Sequence, residues 1–454
     1  MEVAVGARVD AAATAGLREI DGRPVAWFRV AGGKHHGALG SAGAAAVTRV
    51  VQLGLDSRIP IVGVLDTSGA ELRDNVAALY GWGRIARVFA HASGVVPTIL
   101  AVIGPCVSGP ALLLGLVDAV VMTGDAFAYV SGPESVVEFT GIEIDRETLG
   151  SAAMHSRKSG VASLVVANEA EAELAVADLL VYLPSHHLDD PPRVETDDAE
   201  DRRCEVAAAT VPIDALKAYD VRAVVEDVLD NESFLELRSA YAPNMVTGLG
   251  HLGGRAVGVV ANQPVHRAGT LDIEASRKAA RFVAWCDSFN LPIITFVDTP
   301  GFEPGRDLEW RGMIRHGAQL VHSYAAATVP RICVVLRKAY GGAYIVMDSR
   351  GVGNDVCLSW PSADVAVMGG AGAVQILYGR QLATLDATEK PQRERELIDE
   401  YETTFAGPYR AAERGFVDAV IEPAATRQVL TSTLEMLATK RHRARPRNHS
   451  NGPL

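Results

Sequence analysis

The sequence predicts an α/β protein made of two homologous halves, and three observations predict it. Short apolar runs such as TILAVIG (Thr98–Gly104) and RICVVLR (Arg331–Arg337) have the length and Val/Ile/Leu content of buried strands. Between them lie stretches such as NVAALYGWGRIARVFAHAS and SRKAARFVAWCDSFN, whose apolar residues recur every three or four positions, the helical period. Alternating strands and helices imply a largely parallel sheet covered by helices. The third observation is that this texture occurs twice at a fixed spacing.

IPIVGVLDTSG (Ile59–Gly69) is echoed by LPIITFVDTPG (Leu291–Gly301). Asp66 and Asp298 stand as far apart in sequence as Pro60 and Pro292, Gly69 and Gly301, and, upstream, Gly22 and Gly254. Downstream, VVPTILAVIGPCVSGPA (Val95–Ala111) answers TVPRICVVLRKAYGGAY (Thr328–Tyr344). There the separation is longer by a single position, from Pro97 to Pro330 and from Gly109 to Gly342. Later still, KSGVASLVV faces RGFVDAVIE. Reuse of common strand–turn patterns gives similar composition but not shared spacing, so the halves are duplicates. They span 1–190 and 204–454, and the Asp- and Pro-rich stretch Ser185–Arg203 between them is a linker by composition.

The 454 residues are 48% hydrophobic and 22% charged, with a net charge of -12, which is ordinary for a globular chain. An acidic chain without a basic face is a poor partner for nucleic acid. The one basic run, KRHRARPR (Lys440–Arg447), reads as a solvated tail, with a partner contact second. The five cysteines lie far apart with no CxxC pair, which supports neither a zinc ribbon nor a disulfide framework. With no signal sequence at the N-terminus, they point to a reducing cytoplasm. No apolar run approaches the roughly 18 residues that span a bilayer, so no membrane is expected.

Chemistry is expected where the strands stop. In both halves a strand ends at small residues, Ser108-Gly109 in the first and Gly342-Ala343 in the second. A helix is expected to begin at each, with LLLGLVDAVV following the first. Helix N-termini leave amide N–H groups unpaired and partially positive, and small residues let a carbonyl oxygen come close. Two convergent N–H groups make an oxyanion hole. Either site alone would be a tight turn; matched sites in both repeats suggest two holes for two enolate-like species. Other chemistry fails its tests. Cys106 and Pro110 rule out G-x-S-x-G around Ser108, and no GxxxxGK[ST] occurs. His35-His36 has no acid or Cys at ligand spacing, so no metal is expected in this chain.

Several segments resemble the carboxyltransferase β subunits of biotin-dependent acyl-CoA carboxylases of the propionyl-CoA and acetyl-CoA type. They are VDTPGFEPG, MIRHGAQLVHSYAAATVPRICVVLRKAYGGAYIVM, LGGRAVGVVANQP, LDIEASRKAARFVAWCDSFNLP, AERGFVDAVIEP and the terminal NGPL. The resemblance runs from about Gly22 to Leu454 in long ungapped motifs. It implies a duplicated crotonase-like fold, with residues 1–190 on the acyl-CoA side and 204–454 on the biotin side. It also implies a reaction in which carboxybiotin gives up CO2, the ureido anion removes the α-proton of a short acyl-CoA, and the enolate is carboxylated.

By the family pattern Ser108 and Gly109 hold the thioester carbonyl, and Gly342 and Ala343 hold the ureido oxygen, flanked by Gly341 and Phe302. Gly132, Pro133, Tyr344 and Ile345 are implied on the substrate side, Ile345 lining the acyl pocket. There is no Met-Lys biotinylation dipeptide and no recognisable ATP motif, so biotin is implied on a separate carrier, beside a separate biotin carboxylase subunit. The family assembles as a ring of dimers, which implies a homo-oligomer, a hexamer.

The departures from the family cluster in the first half. DTSGAELRDN stands where the family reads DSGGARIQEG, so Glu71 replaces an Arg, and His35-His36 replaces Phe-Gly. Ser108-Gly109-Pro110 replaces the Gly-Gly hole, with a backbone N–H expected to serve at both Ser108 and Gly109. In the second half Glu303 and Arg311 stand where Leu and Gly are common, and both are expected to narrow the biotin entrance. The chain also begins several dozen residues later than the family usually does, which bears on docking to a biotin carboxylase. The runner-up function is a decarboxylase or transcarboxylase acting on a malonyl-type thioester. A third is a non-catalytic, complex-stabilising homologue, which Pro110 raises.

Overall fold

A computed structural model describes residues 12–32, 35–440, 442 and 451–453. Most of the basic run 440–447, and the last residue of NGPL, lie outside the described residues. The chain forms two compact units: Met1–Pro192 with Leu237–Tyr241 and Ser288–Asn290, and Arg193–Glu236 with Ala242–Asp287 and Leu291–Leu454.

The first unit is a seven-stranded sheet of β1 (Ala13–Ile20), β2 (Arg23–Val30), β3 (Ile61–Thr67), β4 (Thr98–Val107), β5 (Ala119–Thr123), β6 (Phe127–Tyr129) and β7 (Leu164–Val166). The order is β1-β2-β3-β4-β5-β7, with β6 joining the end of β4; only the β1–β2 hairpin is antiparallel. Helices Ser41–Ser57 and Val76–Ala92 turn buried stripes toward it, Val47, Val50 and Val51 from one and Ile85, Val88 and Phe89 from the other. These meet Phe28, Leu65 and Leu100 of the sheet in one core. The helices come close because Gly81 has no side chain: a Cβ there would sit 2.5 Å from that of Ala44.

The second unit repeats the plan with β8 (Leu235–Glu236), β9 (Met245–Leu252), β10 (Arg255–Asn262), β11 (Ile293–Thr299), β12 (Arg331–Tyr340), β13 (Val356–Ser359), β14 (Asp364–Ala366) and β15 (Ala419–Val420). Its order is β15-β13-β12-β11-β10-β9-β8, with β14 joining the end of β12. The repeat is literal. Both ends of β9, β10 and β11 follow those of β1, β2 and β3 at the offset that separates Asp298 from Asp66. Both ends of β12 follow those of β4 at the offset that separates Gly342 from Gly109. Even the register slip recurs, between Leu65 and Thr67 in one sheet and Val297 and Thr299 in the other.

One expectation fails. LLLGLVDAVV is not helical throughout: the helix is Gly109–Leu113, and Ala119–Thr123 is the fully buried strand β5. A continuous apolar run suits a central parallel strand as well as a buried helix, and periodicity cannot separate them. All five cysteines are buried free thiols, and no described helix is long and apolar enough to cross a membrane.

The loops after β2 and β10 turn on matched glycines, Gly37 (φ 72°) and Gly269 (φ 75°). A Cβ on Gly37 would overlap the Asp66 carbonyl, and one on Gly269 would lie 2.5 Å from the Asp298 carbonyl oxygen. Gly415 has the same backbone (φ 74°) but open space around it. Gly415→Ala should therefore cost only the left-handed backbone, about 1–2 kcal/mol. Gly269→Ala should lower the Tm further, because main chain must move. Equal losses by calorimetry would contradict this packing.

Candidate active site

In the second unit β12 stops at Gly341 (φ 58°) and the helix Gly341–Val346 begins at once. The amides of Gly342 and Ala343 lie in its first turn, where a helix offers no acceptor. Neither donates to a carbonyl elsewhere among the described residues. Gly342 is exposed, and the Phe302 ring lies over it, 3.5 Å from where a Cβ would be. On its other side the same ring meets Gly317 of the helix Met313–Ala326, at 3.3 Å by the same measure. Glycine at both positions makes the slot that holds this ring.

The ends of β11 and β12 are pinned beside the hole. Arg337 pairs with Asp298 at 2.9 Å, both buried, and Asp298 also accepts the Lys338 amide at 3.1 Å. Burial raises the Asp298 carboxyl above the usual range, against the pull of Arg337. Tyr344 turns inward, its hydroxyl 3.8 Å from Cys357 Sγ, and burial pushes its ionisation up. Ile345, one residue on, is 52% exposed.

In the first unit Ser108 takes the place of Gly341 and adopts the same left-handed backbone (φ 64°), unusual for a residue with a side chain. Its amide donates to the Tyr129 carbonyl at 2.9 Å, closing the β4–β6 ladder. The Ser108 amide assigned to the hole from the sequence is therefore engaged. Pro110 has no N–H, and the Ala111 amide donates to the Ser108 carbonyl at 3.1 Å. What the turn still offers is the Gly109 amide and the Ser108 hydroxyl, which is exposed and hydrogen-bonds to nothing among the described residues.

Sequence reasoning missed two neighbours of this turn. Trp82 packs on Gly109, 3.8 Å from where a Cβ would be, and its buried indole N–H has no partner among the described residues. Tyr129 holds Ser108 through its carbonyl and lies against Gly132, which caps the helix beginning at Pro133. Gly132 and Pro133 thus reach the turn through Tyr129. The ion pair below the second hole has no counterpart here. Gly104 occupies the place of Arg337 in the repeat, and a Cβ on it would sit 2.5 Å from Asp66 Oδ1.

Exposed apolar side chains recur at matched positions of the two halves. Leu112 corresponds to Ile345 by the offset that relates Gly109 to Gly342. Val130 and Phe139 correspond to Val367 and Ile376 by the slightly longer offset that relates β6 to β14. The charged departures Glu303, Arg311 and Glu71 are each paired. Glu303 pairs with Arg267 at 2.6 Å, Arg311 with Glu274, and Glu71 with His35. The repeat could have shown this, since His35 and Arg267, and Glu71 and Glu303, are related by the same offset as Asp66 and Asp298.

Residues 4–451 match the carboxyl transferase domain. The chain is 45% identical to the propionyl-CoA carboxylase carboxyltransferase subunit of Haloferax mediterranei, over 97% of this chain and 85% of that one. It is 40% identical to the methylmalonyl-CoA decarboxylase subunit alpha of Veillonella parvula, over 97% and 84%. The crystal structure of the transcarboxylase 12S hexamer, with hydrolysed methylmalonyl-CoA bound, superposes with a TM-score of 0.94 at 39% identity. The match covers 98% of this chain and 85% of that one, and it bears out the duplicated crotonase-like fold. A single carboxyl transferase domain spanning both halves, with relatives that match nearly the whole chain and its fold, makes this chain an enzyme and a member of the carboxyl transferase family.

Proposed function

We propose that this chain is the carboxyltransferase subunit of a biotin-dependent acyl-CoA carboxylase, moving a carboxyl group from carboxybiotin to the α-carbon of a short acyl-CoA. The observation that carries this is the pair of matched turns, one offering the Gly109 amide with the Ser108 hydroxyl and the other the amides of Gly342 and Ala343, with no acid–base side chain among these donors. Forming an enolate from a thioester puts negative charge on one oxygen, and fixed N–H or O–H donors stabilise that charge without reorganising. The Gly109 amide and the Ser108 hydroxyl are the donors for the thioester oxygen. The amides of Gly342 and Ala343 are the donors for the ureido oxygen of biotin.

The second hole suits a flat ligand group. Gly341 supplies the left-handed turn, Gly342 adds no side chain, and Phe302 walls one side. When bound, biotin supplies the carboxyl group and the base for the α-proton. Ile345, exposed beside the second turn, borders the acyl chain. Gly132, Pro133 and Tyr344 act indirectly, by fixing the turns. A biotinylated carrier and an ATP-using carboxylase complete the enzyme on separate chains in the cytoplasm. The exposed apolar faces, and the hexamer described for transcarboxylase 12S, support a homo-oligomer.

Gly342→Val would place a branched side chain against Phe302 where the ureido group must sit, and should lower biotin-dependent turnover by on the order of 10²–10³. Ser108→Ala keeps the turn but removes one donor, and should lower turnover by a similar order while leaving biotin affinity unchanged. Unchanged turnover in Ser108→Ala would show that the Gly109 amide acts alone. For Ile345→Asp, rates with acetyl-, propionyl- and butyryl-CoA should change rank with the fold intact. A uniform loss across the three would place Ile345 in general packing.

A further inference from the structure

We propose that the first half carries an interaction surface, formed by a cleft over β2, β3 and β4 and by the outer edge of β1. Its occupant is an amphipathic helix with basic flanks, supplied by a partner protein.

The second half shows the same surface covered. Val259 of β10, Ile294 and Phe296 of β11, and Val334 and Leu336 of β12 share one core with the valines of the helix Val221–Val228 and with the helix Thr426–Leu437. After the first of these helices the chain forms β8, which pairs with β9. Under this cover every residue of β9 is buried.

The first half has the matching sheet face with less over it. At the repeat offsets the five sheet positions are Trp27, Val62, Val64, Ala101 and Ile103. None of them belongs to the core on the opposite face, which holds Phe28, Leu65 and Leu100. Instead they line a cleft of about 530 Å³ beside the helix Glu169–Tyr182. That helix is the counterpart of Thr426–Leu437: by the offset that relates Gly160 to Gly415, Ala175 and Leu179 stand for Leu430 and Leu434. Among the described residues nothing stands for the helix Val221–Val228 or for β8. The strand β1 ends its sheet, and only Ala13 and Gly16 in it are buried. Leu174 lines the cleft and is 65% exposed. An open strand edge beside an apolar cleft is a surface built for another polypeptide.

The chemistry of the occupant follows from the floor and the rim. An apolar floor takes a helix whose apolar residues fall on one face, at the spacing of Val221, Val224, Val225 and Val228. The rim carries Glu19, Asp21, Glu169 and Glu173 against Arg18, whose guanidinium lies 3.4 Å from the centre of the Trp27 ring. Glu169 is paired with Arg29. The negative charge left over selects lysine or arginine on the flanks of the occupant. Neither hole touches this cleft, so the occupant contributes a contact and no catalytic group.

The test uses labelled peptides of about 16 residues, long enough to form helix, titrated into the full-length protein and followed by fluorescence anisotropy. One carries valines at the spacing of Val221, Val224, Val225 and Val228 with lysines on the flanks. A second has glutamates for the lysines, and a third scrambles the first. The lysine peptide should bind, and the other two should bind roughly tenfold more weakly. Leu174→Lys should weaken the lysine peptide by a similar factor while keeping the wild-type Tm. Removing residues 1–11 should leave its affinity unchanged. Failure of the lysine peptide to bind, equal binding of all three peptides, or indifference to Leu174→Lys would overturn the surface. Tighter binding after removal of residues 1–11 would give the cleft to the chain's own N-terminal residues and overturn the partner.

Discussion

An α-helix cannot satisfy its own first amides, and everything distinctive in this protein follows from where two such helices begin. Each starts at the end of a ten-residue strand, after a single left-handed residue, Ser108 or Gly341. Each of those strands is flanked on both sides along its length, by β3 and β5 with β6, or by β11 and β13 with β14. Strands held so tightly fix the first turn of the following helix, and fixed donors stabilise developing charge better than mobile ones. Apart from the Ser108 hydroxyl, the proposed donors are main chain, and the sheet is what makes them rigid.

The two halves keep this frame but support it differently. Below the second hole a buried guanidinium, Arg337, ties Asp298 to the carbonyls of Asp214 and Lys217. At the matching place in the first half Gly104 lets Asp66 lie against bare backbone. A pair as buried as Arg337–Asp298 is costly to break, since removing one partner strands the other charge. The first half carries no such commitment below its hole, and it is also the half where Ser108, Pro110, His35 and Glu71 depart from the family pattern. Under the proposed assignment, the half with the lighter support is the one that holds the acyl thioester.

Much of this was legible in the sequence because the repeat carries no insertion from β9 through β11, so one offset placed three strands and their turns. The ends of the strands were legible too, since glycine at a strand terminus signals either a positive φ or a close approach. What could not be read was pairing. The acceptor of the Ser108 amide is the carbonyl of Tyr129, in a strand of three residues that no periodicity announces. LLLGLVDAVV looked helical because an unbroken apolar run has no period to read. The partners of Glu303 and Arg311 could not be read, because Arg267 and Glu274 lie 36 and 37 residues away, in a short turn and in the first turn of the helix Ile273–Ser288.

The central claim is that two donor holes cooperate in moving one carboxyl group, and it can be tested without any partner chain. Purified protein would be mixed with malonyl-, methylmalonyl- or ethylmalonyl-CoA labelled in the free carboxyl, together with free biotin and no ATP. The account predicts label in biotin, formed one for one with the decarboxylated CoA thioester, and no thioester turnover when biotin is left out. Release of labelled CO2 at the same rate with or without biotin would contradict it, because the hole at Gly342 and Ala343 would then have no part in the reaction.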